Sequence, residues 1–207
     1  MEACSMNAKV LEPAIAEPVT EFTQAEIVWK PWLAPLEMEE LNETHMTAFK
    51  SAAHAKSQYF RLLARDVPIL KARSKSDADI FYNVKTGLPR AERELAAVSV
   101  SRFNGCIYCA SVHARFSSTY SKRKDDVDKL LADGVTADLG ERWNAIVNAS
   151  VALSETPPAF DESHIAAMRD AGLNDLEIMD VINCAAFFNW ANRLMLSLGE
   201  PDQPGTA

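Results

Sequence analysis

Residues 90–116 read RAERELAAVSVSRFNGCIYCASVHARF and consist of two Ala-containing segments on either side of an Asn-Gly pair. The apolar residues of the first segment recur at helical spacing, and its Ala content favours a helix over a strand from about residue 90 to 103. Asn104-Gly105 is a typical helix stop. We therefore expect a second helix from Cys106 to about Ser118, with both cysteines of this stretch near its N-terminus.

The rest of the chain has the same helical character. Only seven of its 207 residues are glycine, and apolar residues recur at helical intervals along most of its length. No run of alternating residues indicates a strand convincingly, so the fold class is predicted to be all-α. The remaining helices are predicted over residues 23–29, 38–65, 67–83, 124–133, 138–153, 162–171 and 174–198.

Capping residues mark several of the predicted helix starts. Thr23 is expected to cap the first helix, and Asp161 a later one. Asn174 and Glu177 have the spacing of a capping box at the start of the last helix. Pro68 interrupts the pattern before it and is placed to open the helix that follows.

Length, charge and hydropathy restrict the domain organisation and the partners. A chain of this length indicates one helical domain, expected over residues 41–200, with an N-terminal extension over 1–40 that carries one short helix and a tail over 201–207. The net charge of −8 argues against nucleic acid and an anionic membrane surface as partners. No stretch has the length and apolarity of a transmembrane helix, and the N-terminus lacks the pattern of a signal peptide. A cytoplasmic protein with reduced thiols is therefore expected.

Cys106, Cys109 and His113 form the chemically informative part of the second helix. At roughly 100° per residue, the three side chains lie on one helix face within roughly 60°. The N-terminus of a helix favours a thiolate over a thiol, and the thiolate is the nucleophile of thiol redox chemistry. A second cysteine within one turn can close a disulfide. His113 can accept or donate a proton near neutral pH.

Glu94 is the fourth candidate residue. If the two helices form an antiparallel hairpin, Glu94 lies roughly 15 Å before the turn and His113 roughly 10 Å after it, at about 1.5 Å per residue. The two side chains could then meet, and the carboxylate could orient the imidazole and hold its proton. Glu92 is a competitor, but it points to another face of its helix.

Two other interpretations of the cysteine pair follow from the residues alone. The cysteines could simply be packed in the core, or they could form half of a structural zinc site together with a nearby histidine. Cys4 lies in an N-terminal tail that is expected to be disordered, and His45, His54 and His164 show no metal spacing. Thioredoxin-like chemistry would need a βαβ pattern, and the flanks here are helical.

Residues outside this stretch are predicted to be structural. Cys184 lies on the apolar face of the last helix and is expected to be a small core residue. Phe187, Phe188 and Trp190 are expected in the core or at a subunit contact. These aromatic side chains could also line an apolar pocket beside the cysteines.

The pattern Glu94-x₁₁-Cys106-x-x-Cys109-x-x-x-His113 resembles the AhpD-like alkylhydroperoxidases of the carboxymuconolactone decarboxylase superfamily. The segments LPRAEREL (88–95), NGCIYC (104–109) and FFNWANRL (187–194) are similar to its peroxidase-related branch. The resemblance covers roughly residues 40–200. It implies an all-α helical bundle with the C-x-x-C at a helix N-terminus, a homo-oligomer (trimer or hexamer), and peroxide reduction without a cofactor or metal.

The resemblance also implies a role for each of the four residues. Cys109 resembles the peroxidatic cysteine that becomes a sulfenic acid, and Cys106 resembles the partner that donates a proton and then closes the disulfide. His113 and Glu94 resemble the proton relay. The helix-end position by itself would favour Cys106 as the more activated thiol. A dithiol protein of lipoyl-bearing or thioredoxin-like type is the implied reductant, and a small peroxide the implied substrate.

Tyr108 departs from the family pattern, because the best-known members have a histidine at this position. A phenol titrates near pH 10, so Tyr108 would be a poor base at pH 7. This departure motivates a second hypothesis, a non-enzymatic redox sensor or interaction module that uses the same disulfide. The decarboxylase branch does not use a cysteine pair, so the pair argues against decarboxylation.

Overall fold

The computed structural model describes residues 8–15 and 17–204, which form ten α-helices and one two-stranded antiparallel sheet. The predicted helical bundle is confirmed. The strands are β1 (Val28–Pro31) and β2 (Gly199–Asp202). The helices are α1 (Glu43–Met46), α2 (Ala52–Lys56), α3 (Gln58–Leu63), α4 (Val67–Tyr82), α5 (Arg90–Phe103), α6 (Ile107–Ser121), α7 (Lys124–Asp133), α8 (Glu141–Ser154), α9 (Glu162–Asp170) and α10 (Asp175–Leu198).

Helix α5 lies at the centre of the bundle and packs against α6, α8 and α10. Every residue from Glu92 to Ser101 is buried. The hydroxyls of Ser99 and Ser101 donate hydrogen bonds to carbonyl oxygens one turn earlier in the same helix, at 2.8 and 2.7 Å. Polar side chains can be buried on this helix because they find such partners.

The turn between α5 and α6 lies where the Asn-Gly pair predicts it. Gly105 has φ +80°, a left-handed conformation that glycine adopts without a steric penalty. The amide nitrogen of Asn104 donates to the side-chain oxygens of Asn189 and Asn192 on α10, at 3.1 and 3.2 Å. These bonds fix the turn against α10, and Cys106 becomes the residue that precedes the first turn of α6.

The predicted helices in the second half of the chain are confirmed to within a few residues, and so are their caps. The Asp161 carboxylate accepts a hydrogen bond from the N–H of Ser163, and Asn174 and Glu177 form the reciprocal capping box of α10. Pro68 lies in the first turn of α4, which Asp66 caps. No described helix, including the 24-residue α10, is long and apolar enough to cross a membrane.

The prediction of one largely helical segment over residues 38–65 is wrong in detail. The segment contains a short 3₁₀ turn followed by α1, α2 and α3. Ser51 and Ser57 have extended backbone conformations and interrupt the helical path. Serine side chains compete with helical hydrogen bonds, and no long apolar face compensates here.

The prediction of a helix over residues 23–29 is also wrong, as is the absence of strands. The Thr23 hydroxyl accepts a hydrogen bond from Ala25 within a local turn, and the chain then enters β1. Ile27 and Trp29 are buried while Val28 is exposed, which is strand alternation. β1 pairs with β2, which directly follows the last helix, with Trp29 opposite Pro201.

Candidate active site

The structure brings the four predicted residues to the α5–α6 hairpin. Glu94 projects from the centre of α5, and Cys109 and His113 lie on consecutive turns of α6. Cys106 precedes α6 and is hydrogen-bonded to Cys109. Cys109 and His113 line the same cavity. The arrangement contains two linked pairs of side chains, one of thiols and one of a carboxylate and an imidazole.

The two thiols differ in acidity because one donates to the other. Cys106 accepts hydrogen bonds from the Cys109 thiol, the Cys109 backbone N–H and the Asn192 amide, and these donors lower the pKa of Cys106 despite its burial. The same thiol–thiol hydrogen bond, together with burial, raises the pKa of Cys109 well above its usual range. The first proton to leave the pair therefore leaves from Cys106.

Asn192 joins the thiol pair to the rest of the bundle. Its side chain is fully buried, and its amide nitrogen donates to the Ser101 hydroxyl at 3.1 Å while its oxygen accepts from Asn104. Asn192 lies in the segment that resembles the family, but the sequence indicated no role for it. Its contact with the thiols connects residues 86 positions apart, which local patterns do not encode.

Glu94 connects His113 to a third residue, Arg90. Its two carboxylate oxygens lie 2.5 Å from Nδ1 of His113 and 2.5 Å from Nε of Arg90, and its side chain is fully buried. Burial acts to lower the pKa of Arg90, but the charge and hydrogen bond of Glu94 raise it. Arg90 precedes Glu94 by one helical turn, a spacing that could have identified it.

The imidazole of His113 is held in place by aromatic rings as well as by Glu94. Its ring centroid lies 4.2 Å from that of Phe188 in an edge-to-face contact and 5.3 Å from that of Phe81. Because Nδ1 faces Glu94, Nε2 is the nitrogen available for proton exchange. Phe188 was predicted either for the core or for a pocket wall, and it serves as both.

A cavity of about 200 Å³ opens beside Cys109 and His113. Tyr108, at the position where the resemblance leads us to expect a histidine, lines the cavity, and burial raises the pKa of its phenol. The apolar side chains of the wall are Phe60, Phe81, Val112, Phe116, Phe188, Ala191 and Met195. A mostly apolar cavity with a few polar groups is the usual form of a small-molecule site.

The remaining predicted residues lie outside this site. Glu92 points away from His113 and binds Arg142 through two hydrogen bonds of 2.8 Å. Cys184 is fully buried, as predicted, and its thiol donates to the carbonyl oxygen of Arg93 at 3.0 Å. Cys4 lies outside the described residues. Within residues 8–15 and 17–204, no three His, Cys, Asp or Glu side chains are grouped so that they could hold a metal ion.

The middle of the chain is similar to a known protein family, and the fold is similar to that of solved structures. Residues 68–152 match the model of the carboxymuconolactone decarboxylase family. The crystal structure of a peroxidase-related protein from Silicibacter sp. TM1040 is 26% identical over 69% of this chain and 74% of its own, with a TM-score of 0.61. The AhpD-core, peroxidase-related protein from Ralstonia eutropha JMP134 is 22% identical over 84% of this chain and 92% of its own, with a TM-score of 0.68. The match over residues 68–152 and the shared fold support the AhpD/carboxymuconolactone decarboxylase superfamily.

The superfamily fold also occurs in proteins with other activities. The debrominase Bmp8 has a TM-score of 0.65 to this chain at 15% identity, over 79% of this chain and 88% of its own. A cysteine-to-alanine variant of Bmp8 is known in complex with 2,3,4-tribromopyrrole. Among curated proteins, none matches the sequence. The resemblance predicted from the Glu, Cys and His spacing is thus confirmed at the level of the superfamily.

Proposed function

We propose that the protein is a thiol-dependent peroxidase whose Cys106 and Cys109 alternate between dithiol and disulfide. The observation that carries the proposal is a hydrogen-bonded pair of buried thiols, one of which lines the same cavity as an imidazole bound to a carboxylate. Peroxidase-related proteins with the same fold support it. No cofactor enters the proposed reaction, because the two thiols supply both electrons.

Cys109 is the proposed site of peroxide attack, since its side chain lines the cavity. The Cys106 thiolate accepts the Cys109 proton along their hydrogen bond while the Cys109 sulfur attacks the distal oxygen of the hydroperoxide. The O–O bond breaks, Cys109 becomes a sulfenic acid, and the alkoxide leaves. A proton from Nε2 of protonated His113, whose Nδ1 is bound to Glu94, converts the alkoxide to an alcohol.

Cys106 then closes the disulfide. Its sulfur attacks the Cys109 sulfur, the S–OH bond breaks, and the Cys106 proton leaves with the hydroxide as water. One hydroperoxide and two thiols thus give one alcohol, one water and one disulfide. A separate dithiol protein of lipoyl-bearing or thioredoxin-like type would reduce the disulfide by exchange. We propose that the protein functions as a homo-oligomer, a trimer or hexamer, as the resemblance implies.

Acidity and access favour different cysteines, and the proposed mechanism uses both properties. The lowered pKa of Cys106 makes it the first thiol of the pair to ionise, as its position before α6 predicts. Cys109 holds the proton, yet it is the sulfur at the cavity wall. Cys106 therefore acts first as the base for Cys109 and second as the nucleophile toward it.

A steady-state assay with matched cysteine variants tests this proposal. Consumption of hydrogen peroxide and of an organic hydroperoxide is measured with a panel of dithiol donors, for wild type, Cys106→Ser, Cys109→Ser and Cys184→Ser. The first two variants are expected to lose turnover. Cys184→Ser is the matched control, because Cys184 is a buried cysteine outside the site and serine can keep its hydrogen bond to Arg93. Wild-type turnover in both site variants would contradict the proposal.

A redox-sensing role is the second candidate function, and Tyr108 is the residue that favours it. The residue lines the cavity with a phenol whose pKa is raised by burial, so it cannot replace the expected histidine as a base near pH 7. A sensor would be oxidised once per equivalent of peroxide, would show no turnover with any dithiol donor, and would change its sedimentation when the disulfide forms.

Because Bmp8 shares the fold, a brominated pyrrole is included among the candidate oxidants in the assay.

A further inference from the structure

Arg73 is a buried cation with unused hydrogen-bond donors in the proposed active-site cavity. It projects from α4, its side chain is more than nine-tenths buried, and it lines the same cavity as Cys109. Its Nε and Nη1 atoms are buried and have no hydrogen-bond partner. In the part of the chain that the structure describes, no carboxylate forms an ion pair with it.

Aromatic rings cover Arg73 but leave its donors free. The guanidinium carbon lies 5.7 Å from the ring centroid of Tyr59, 5.2 Å from that of Phe60 and 5.3 Å from that of Phe187. Cation–π contacts of this kind offset part of the cost of burying a charge and fix the plane of the group. They do not satisfy the N–H donors, which lie in that plane and are suited to bind a carboxylate.

The neighbours of Arg73 in the cavity wall also have unused polar atoms. Nδ1 of His54 is buried without a hydrogen-bond partner, and the buried hydroxyl of Tyr59 lies beside the Arg73 guanidinium. Burial raises the pKa of Tyr59 to about 12, so its hydroxyl keeps its proton and remains a donor. Buried polar groups without partners are uncommon, and their clustering around one cavity indicates a place for a ligand.

The charges that line the cavity favour an anion. Lys50, Arg73 and Arg90 line it, against a single carboxylate, Asp77. Asp77 is already bound to Lys50 at 3.1 Å, and Arg90 is bound to Glu94. Arg73 is thus the cation of this wall whose charge is not matched by a carboxylate.

We infer that Arg73 and Tyr59 form a carboxylate subsite, so that the cavity takes a small organic hydroperoxide or peracid bearing an acid group. This inference rests on the proposed peroxidase function for the reacting end of the molecule, at Cys109 and His113. The volume of about 200 Å³ suits a substrate about the size of a benzene ring, which fills a cavity of roughly 150 Å³. The carboxylate would accept hydrogen bonds from Nε and Nη1 of Arg73, which lack partners, and from the hydroxyl proton of Tyr59.

A pair of alkylating reagents tests the subsite without any peroxide. Iodoacetate and iodoacetamide differ in a carboxylate against a carboxamide, and each transfers its CH₂ group to a thiolate with loss of iodide. The rate of Cys109 modification is measured for both by peptide fragmentation, in wild type, Arg73→Met, Tyr59→Phe and Lys71→Gln. The ratio of the two rates cancels any common change in thiol reactivity. Lys71 is the matched control, since it is an exposed cation on the same helix.

The expected result is a lower iodoacetate-to-iodoacetamide ratio in both subsite variants. The ratio should fall about tenfold in Arg73→Met, because a hydrogen bond to a charged group is worth about that factor or more. It should fall severalfold in Tyr59→Phe and stay at the wild-type value in Lys71→Gln. If Arg73→Met has the wild-type iodoacetate-to-iodoacetamide ratio, the inference is wrong. If only Tyr59→Phe has the wild-type ratio, Tyr59 does not belong to the subsite.

Turnover measurements separate a failure of the subsite from a failure of the peroxidase proposal. Monoperoxysuccinate and peroxybutanoate are similar in size, and only the first carries a carboxylate. Wild type is expected to prefer monoperoxysuccinate, and Arg73→Met to lose the preference while it still consumes peroxybutanoate. If neither compound is consumed, the peroxidase proposal fails and the alkylation ratio still decides the subsite. If wild type consumes both compounds equally, and the alkylation ratio is the same in wild type and Arg73→Met, the subsite inference is wrong and the peroxidase proposal stands.

Discussion

The carboxylate of Glu94 lies 2.5 Å from Nδ1 of His113, although the two residues are 19 positions apart and belong to different helices. The contact is formed in the interior, with Glu94 fully buried and its second oxygen bound to Arg90. Buried charges persist only where they are paired. We therefore regard Arg90, Glu94 and His113 as one unit, which sets the orientation of the imidazole at the cavity.

Replacement of Glu94 by Gln is expected to slow peroxide consumption by about a hundredfold, the lower range for the loss of general acid–base catalysis. The amide keeps the shape of the side chain but no longer stabilises the imidazolium that protonates the leaving alkoxide. The measurement is the rate of disulfide formation in a single turnover. Glu92→Gln is the matched control, because Glu92 lies on another face of α5 and binds Arg142. Equal rates for Glu94→Gln and wild type would contradict the relay.

Replacement of Asn192 by Ala is expected to raise the pKa of Cys106. The Asn192 amide donates to this sulfur, and loss of a donor destabilises the thiolate relative to the thiol. The pH profile of iodoacetamide modification at Cys106 should therefore move to higher pH. Asn189→Ala serves as the control, because Asn189 binds Asn104 as Asn192 does but is not among the groups that shift the pKa of either thiol. The same shift in both variants would show that the effect comes from the turn and not from the donor.

Much of the fold could be predicted from the sequence because the information is local. Asn104-Gly105, Asp161 and the Asn174–Glu177 box end or start helices through contacts within a few residues. The same local rules fail for the N-terminal segment. Residues 28–31 become a strand only because Gly199–Asp202 pair with them, and that partner is distant in the sequence. Intrinsic propensity is overridden by such tertiary contacts.

The candidate site divides in the same way. Cys106, Cys109 and His113 follow from helical spacing, and Glu94 follows from the length of the hairpin. Arg73 and Asn192 could not be assigned, because each reaches the cavity or the thiols from a helix that lies far away in the sequence. Their roles can be inferred only from the structure, in which Arg73 is buried with unpartnered donors and Asn192 is hydrogen-bonded to the thiols.

Replacement of Arg73 by Met is expected to leave the free energy of unfolding within about 1 kcal/mol of wild type, or to raise it. The variant loses cation–π contacts of up to about 2 kcal/mol each but removes two buried donors without partners, which cost about 1–3 kcal/mol each, so the two effects are of similar size. Arg93 is a matched comparison, since it is equally buried but is bound to Asp180 at 2.7 Å and to three carbonyl oxygens.

Arg93→Met should therefore lose about 3–5 kcal/mol, as expected for a broken buried ion pair. Urea unfolding of both variants makes the comparison. If Arg73→Met loses a similar amount of unfolding free energy, Arg73 stabilises the fold through contacts within the protein, and its donors are not free to bind a ligand.

Replacement of Cys184 by Ser is expected to make the protein less sensitive to alkaline pH. Burial raises the pKa of Cys184 well above its usual range, so the folded protein keeps this proton when the unfolded chain has lost it. The stabilisation that this proton provides is fully present at pH values below the pKa of the thiol in the unfolded chain. It falls as the pH rises above that pKa, by up to about 1.4 kcal/mol per pH unit. Between about pH 9 and 10, unfolding free energy should fall less steeply in the variant. If the unfolding free energies of wild type and Cys184→Ser depend on pH to the same degree, the pKa of Cys184 is not raised in the folded protein.

The most direct test of the central claim is the state of Cys106 and Cys109 after one equivalent of hydroperoxide. Reduced protein is treated under anaerobic conditions, the free thiols are alkylated, and the peptide that contains both cysteines is weighed by mass spectrometry. A redox-active pair gives a peptide without alkyl groups that is lighter by two hydrogens, and both thiols are recovered after addition of a dithiol. If both cysteines remain free and fully alkylated while the hydroperoxide persists, Cys106 and Cys109 are not a peroxide-oxidised pair.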